Sequence, residues 1–180
     1  MSALFIPDNT VLVNFARIRR MDLLRQLVGH RGQWCATVSH ECDLSSHQPG
    51  LETIVEAHEI FGEPLVPETG QEHIDTQAIR TSFARPGEPK TKHLGEAETI
   101  AIILNRNIVA AFITDDESAA RRARREGIVT YTTWHILKLA VKTRLVTVEE
   151  AWQHVIDLEG HKRRHPFLKE QDLFFMWCGE

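Results

Sequence analysis

The run Ile108-Val109-Ala110-Ala111-Phe112-Ile113-Thr114 is almost unbroken in apolar residues and stops at Asp115-Asp116. A strand with one wet face alternates apolar and polar side chains; a strand without alternation has to be covered on both faces. Such a strand belongs inside a parallel sheet, whose strands are joined by crossovers that are usually helical. The rest of the chain supplies the partners. Ala3–Ile6 is a compact apolar run ending at Pro7-Asp8 and reads as the first strand. Cys35–Val38 reads as a second, Leu65-Val66 as a minimal third, and Ile128–Tyr131 as the last. Between them, Val11, Phe15, Ile18, Leu23, Leu24, Leu27 and Val28 recur at mostly helical spacing, with a break at Arg19–Asp22 that divides them into two helices.

Further helices are expected over Leu51–Phe61, closed by Gly62, and over Gln71–Ala84, Gly95–Asn105, Ser118–Glu126, Trp134–Thr143 and Val148–Leu158. Thr147-x-x-Glu150 is a capping box for the last of these, Ser39 is an N-cap candidate, and Thr114-x-x-Glu117 is a capping pattern. His47-Gln48-Pro49-Gly50 is a turn and Arg85–His93 a loop by composition. Alternating strands and helices predict an α/β protein, a three-layer α/β/α arrangement with a mostly parallel central sheet. Residues 1–159 form the expected domain. Residues 160–180 read as a C-terminal helical extension, with the basic run His161–His165 and the aromatic-rich segment Pro166–Trp177.

Composition limits the functions open to this fold. No stretch approaches the roughly 20 apolar residues of a membrane span, and the N-terminus lacks a basic region before its apolar run, so the expected location is cytoplasmic, away from any membrane. Cys35, Cys42 and Cys178 are odd in number and unpaired in spacing, which fits reduced core thiols. A net charge of −4 gives no general attraction to nucleic acid, so any such surface must be a local basic patch. Candidates are Arg19 and Arg20 (with Arg17), and Arg121, in the turn after Asp116, with its neighbours Arg122, Arg124 and Arg125. There is no P-loop and no GxGxxG fingerprint. The ten histidines show no spacing that specifies a metal. A dehalogenase-type phosphatase would need an aspartate where Thr10 stands.

In open parallel sheets ligands sit beyond the carboxyl ends of the strands, and the acids of this chain fall there. Asp8 ends the first strand, Glu41 follows the second, Glu96 and Glu98 open the helix after the Arg85–His93 loop, and Asp115 and Asp116 end the 108–114 strand. Two like charges about 4 Å apart repel by roughly 4 kcal/mol at an effective dielectric of about 20. Such a cluster asks for a divalent cation, and an all-oxygen site favours Mg²⁺ or Mn²⁺. Singly, each acid has an ordinary alternative as a helix cap.

The set Pro7-Asp8-Asn9-Thr10, Glu41, Leu94-Gly95-Glu96-Ala97-Glu98-Thr99-Ile100-Ala101 and Ile113-Thr114-Asp115-Asp116-x-x-Ala119-x-Arg121 resembles the PIN-domain superfamily over roughly residues 3 to 145. It is most similar to the branch with a GEAE-type third motif, which includes VapC-like toxins. The resemblance implies a metal-dependent endoribonuclease with catalytic acids Asp8, Glu41, Glu98 and Asp116, and with Glu96 and Asp115 as further metal ligands. Of the Glu96/Glu98 pair, Glu98 is favoured because Ala101 and Ile102 then take the small and apolar places that follow the family's acid. Thr10 matches a hydroxyl residue two places after the first aspartate, and Thr114 is a second supporting hydroxyl. Asp43, two residues beyond Glu41, is an alternative for the second acid; on a regular helix the two point about 200° apart. An RNA substrate, an antitoxin partner and a homodimer are the associations implied. An RNA-processing or phage-defence nuclease without antitoxin, and a non-catalytic binding module on the same fold, are the alternatives.

Overall fold

Three strands, β1 (Leu4–Pro7), β2 (Ala110–Ile113) and β3 (Val129–Tyr131), run parallel in that spatial order. The computed structural model describes residues 3–85, 87–89, 91–167 and 170–179. Side chains alternate across the sheet as a strand's twofold pleat requires. Phe5 and Ile113 turn to one helical layer, whereas Ile6, Ala110 and Phe112 turn to the other. The first layer holds α1 (Asn9–Arg17), α2 (Met21–Val28), α8 (Thr133–Lys142) and α9 (Val148–Gly160), with a large core around Leu12, Phe15, Leu24 and Leu137. The second holds α6 (Leu94–Asn105), α7 (Glu117–Arg125) and Ile79 of α5 (Gly70–Phe83), around Ile100, Ala119 and Ala123. The sheet is thus covered on both sides, as the unalternating 108–114 run requires. Among the described residues, no helix is long and apolar enough to cross a membrane.

Beyond β1, among the described residues, the sheet continues only as isolated parallel bridges, Phe5 to Gly32 and Cys35 to Leu65. The chain therefore moves outward from β1 on one side, then crosses over to build β2 and β3 on the other. This reversal beside β1 is the topological switch point at which a crevice opens.

The second expected strand is a correction. Cys35 keeps extended backbone and a single bridge, and residues Ala36–Ser46 are the helix α3. Ser39, expected as an N-cap, lies buried inside that helix. The β-branched Thr37 and Val38 suggest a strand locally, but the Glu98 carboxylate accepts the Thr37 amide at 2.9 Å and its hydroxyl at 2.8 Å, which stabilises a helix start there. Leu65-Val66 is likewise a single bridge; Pro64 and Pro67 flank it, and proline donates nothing to a ladder. The Leu51–Phe61 segment divides into a 3₁₀ stretch, Glu52–Glu56, and the short α4 (Ala57–Phe61), closed by Gly62 at φ 66°. The Thr147/Glu150 capping box at α9 is present.

All three cysteines are free and buried. After α9 the chain reaches α10 (Gln171–Gly179), whose Phe174 and Cys178, with Phe167 before it, are buried in the same core cluster as α8 and α9. Trp177 packs beside them with the Lys138 ammonium 4.6 Å from its ring centroid. The aromatic crowding of Pro166–Trp177 is therefore answered mainly by docking on the chain itself; Leu168 in that segment lies outside the described residues.

Candidate active site

Asp8 leaves β1 and caps α1. Its Oδ1 accepts the Val11 amide at 2.9 Å, and its Oδ2 accepts the Thr114 hydroxyl. It is 2% exposed, and burial holds its carboxyl well above the ordinary range; the two hydrogen bonds pull the other way, and the charges of Asp115 and Glu96 add to the rise. Thr114 follows β2 and is wholly buried. Besides donating to Asp8, its Oγ1 accepts the Asp116 amide at 3.1 Å, so one hydroxyl joins the two strand ends. The expected Thr114-x-x-Glu117 cap does not form. Asp116 caps α7 instead, accepting the Ala119 amide at 2.8 Å.

Asp115 turns toward α1 and α8. It accepts the Thr133 amide at 2.8 Å, the Thr133 hydroxyl at 2.5 Å and Asn14 Nδ2 at 2.8 Å. Burial raises its carboxyl despite these donors. Its oxygens are well supplied with partners, which suits a residue that braces the site.

Glu41 projects from α3 against Gly95 at the start of α6. A Cβ on Gly95 would stand 3.2 Å from Glu41 Oε2 and 3.0 Å from Val38 Cγ2, so α3 and α6 approach closely only because residue 95 has no side chain. Burial first, then the charges of Glu96 and Glu98, push the Glu41 carboxyl up to about 7. Asp43 points elsewhere, accepting His58 Nε2 at 2.7 Å. Glu98 is 7% exposed and is held by Thr37.

Glu96 lies on the same first turn of α6 as Gly95. His93, the left-handed residue that begins α6 (φ 63°), places its Nδ1 3.6 Å from Glu96 Oε1 and 3.9 Å from Asp116 Oδ2. His93, Glu96 and Asp116 can each present a ligand atom so that all lie within 4.8 Å of one another. The acids anticipated at the ends of β1 and β2, on α3 and on α6 thus lie close enough to act on one another, with Asp8 feeling both Glu96 and Asp115, and Glu41 feeling both glutamates.

The remaining expected residues are placed less centrally. Thr10 lies half-buried in the first turn of α1. Arg19 and Arg20 follow the far end of α1, so nine helical residues at about 1.5 Å each separate them from Asp8. Arg20 pairs with Asp22 at 2.9 Å and contacts His154 Nε2 at 3.1 Å. Arg121 lies on α7, in a shallow depression with Arg122 and Arg125. Four contributors stand outside the sequence motifs: His93, Asn14, Thr37 and Thr133. Two left a signal. His93 stands three residues before Glu96, and Asn14 is a lone amide inside the apolar run Val11–Ala16.

A family model described as a PIN domain matches residues 4–166. The chain belongs to the PIN-domain family. No curated protein matches it. PIN domains are generally nucleases that typically use divalent metals, and the donors of this PIN domain suit such an ion. They are mostly carboxylate oxygens with a single imidazole, and Asp8 and Glu41 are raised by burial first and by the neighbouring acids second.

Proposed function

We propose that this PIN domain is a Mg²⁺- or Mn²⁺-dependent endoribonuclease. The observation that carries the reading is the meeting of carboxylates from two strand ends and two helices at the switch point of the sheet, with His93, Glu96 and Asp116 within reach of one ion. Asp8, Glu96 and Asp116 would hold the metal, joined by His93, with Glu41 and Glu98 on the α3 side of the crevice. A divalent ion supplies Lewis acidity toward a phosphodiester and lowers the pKa of bound water. The chain supplies the positioning. Thr114 fixes Asp8, Thr37 fixes Glu98, and Asn14 with Thr133 fixes Asp115, so the cluster is held in place by donors rather than by solvent.

Purified protein is expected to cut single-stranded RNA with Mg²⁺ or Mn²⁺ and to stop in EDTA. Asp8→Asn and Asp116→Asn should each abolish cleavage with circular dichroism unchanged, because asparagine caps a helix about as well as aspartate. Equal cleavage in EDTA sinks the proposal and leaves a PIN-fold binding module. The similarity of Leu94–Ala101 to the GEAE-type branch supports a toxin role in the cytoplasm, with a small antitoxin as partner. Expression should then arrest growth, and co-expression of the neighbouring small gene should relieve it. Harmless expression of cleaving protein points instead to an RNA-processing or phage-defence nuclease.

A further inference from the structure

α7 carries Arg121, Arg122, Arg124 and Arg125 within nine residues. Arg124 faces β3, donating to Thr130 Oγ1 at 2.8 Å. The other three share a depression of about 270 Å³ with Ser118 of the same helix and with Ser82 and Phe83 at the end of α5. Ser118, Arg121, Arg122 and Arg125 recur at i, i+3, i+4 and i+7, which is one helical face. Glu126 holds Arg122 at 2.9 Å. Among the described residues, no carboxylate lies within 4.0 Å of Arg121 or Arg125, and like charges four residues apart disfavour a helix unless an anion joins them. The chain as a whole is negative, so this face runs against the general charge.

Its position gives the charge a purpose. Phe83 lines the depression, and its ring centroid is 5.8 Å from that of His93, the residue that faces Glu96 and Asp116. A cationic depression and an acidic crevice therefore share one wall. A phosphodiester chain seated on the acids would carry a neighbouring phosphate over the arginines, and its adjoining base over Phe83.

We propose that the α5–α7 depression binds a phosphate of single-stranded RNA beside the one being cut. Arg121 and Arg125 donate charge-assisted hydrogen bonds, Ser118 adds its hydroxyl, and the Phe83 ring receives a base. This rests on the nuclease reading. A single strand is the occupant because only unpaired bases are free to stack on an aromatic side chain.

The test is fluorescence anisotropy of a labelled single-stranded RNA oligonucleotide with full-length protein in EDTA, across a KCl series. Arg121→Gln/Arg125→Gln should weaken binding at least about tenfold at 0.1 M salt. It should also flatten the slope of log Kd against log salt by roughly 0.7 for each phosphate that is no longer neutralised. Phe83→Ala should weaken binding with the slope unchanged, and Arg124→Gln should leave both as in the wild type. No binding by the wild type, an unchanged double variant, or an equal loss in Arg124→Gln overturns the proposal. Duplex RNA binding as tightly as the single strand overturns the stacking part. Cleavage assayed in parallel keeps the two readings apart. Cleavage with arginine-independent binding refutes the depression alone, and arginine-dependent binding without cleavage refutes the nuclease alone.

Discussion

Removing the charge of Glu41 is expected to stabilise the metal-free protein. The carboxyl sits near 7 in the folded chain against 4.5 ordinarily, through burial and the neighbouring Glu96 and Glu98. The folded state therefore binds this proton more tightly than the unfolded chain does. The stability linked to Glu41 is complete below about pH 4.5 and is lost as pH rises through about 7. At 1.36 kcal/mol per pKa unit the full loss is roughly 3 kcal/mol, and solvent screening of a half-buried group trims this to about 2–3 kcal/mol. Glutamine has the shape of the glutamic acid without its charge. In EDTA at pH 8, Glu41→Gln should melt roughly 5–10 °C above wild type, taking about 2–4 °C per kcal/mol for a chain of this size. At pH 5 the gap should shrink to about 1 kcal/mol or less, because the wild type is then largely protonated when folded. Burial raises Asp8 and Asp115 in the same direction, so both add to the loss of wild-type stability as pH rises, and the variant, without the Glu41 share, should decline less from pH 5 to pH 8. Scanning calorimetry at the two pH values measures this. Equal melting at pH 8, or a gap that widens toward pH 5, would refute the claim that burial and the neighbouring glutamates together raise Glu41 in the folded chain.

Three further outcomes follow from the same geometry. Saturating Mn²⁺, at about a hundredfold excess over Kd, should add roughly 2.7 kcal/mol and raise melting by something like 5–10 °C; Glu96→Gln should lose most of that shift, and an undiminished shift removes Glu96 from the metal site. Thr114→Val deletes the hydroxyl shared by Asp8 and the Asp116 amide and should cost about 1–3 kcal/mol by denaturant titration, together with most cleavage; wild-type stability would show that this bridge is idle. Phe174→Ala should destabilise by about 3–5 kcal/mol, because Phe174 is wholly buried among α9 and α10 residues; light scattering on the same variant tests the homodimer that the family resemblance implies, and a small stability loss with a changed mass would move Phe174 to an interface.

Much of this protein is legible along the chain. Strand β2 follows from seven residues, because an apolar run without alternation has nowhere to go but between two layers. Asp8 and Asp115-Asp116 mark the candidate edge because each stands where an apolar strand must leave the core. The capping box at α9 and the break at Arg19 between α1 and α2 are likewise local matters, decided by neighbours three or four residues away.

What the sequence left open depends on groups far apart in the chain. Cys35–Val38 has strand-like residues, yet Thr37 opens a helix because Glu98, 61 residues on, accepts its amide and hydroxyl. Asp43 stands two residues beyond Glu41 as an alternative for the second acid; folding sets Glu41 against Gly95 and Asp43 against His58. Glu98 fits the family spacing, whereas the ligand atoms that gather within 4.8 Å belong to His93, Glu96 and Asp116. The link from Thr114 to Asp8 spans 106 residues, and that from Asn14 to Asp115 spans 101. Periodicity is a property of adjacent residues and can be read in order. The environment of a charge is set by whatever packs around it, and only the closed three-layer fold brings those partners together.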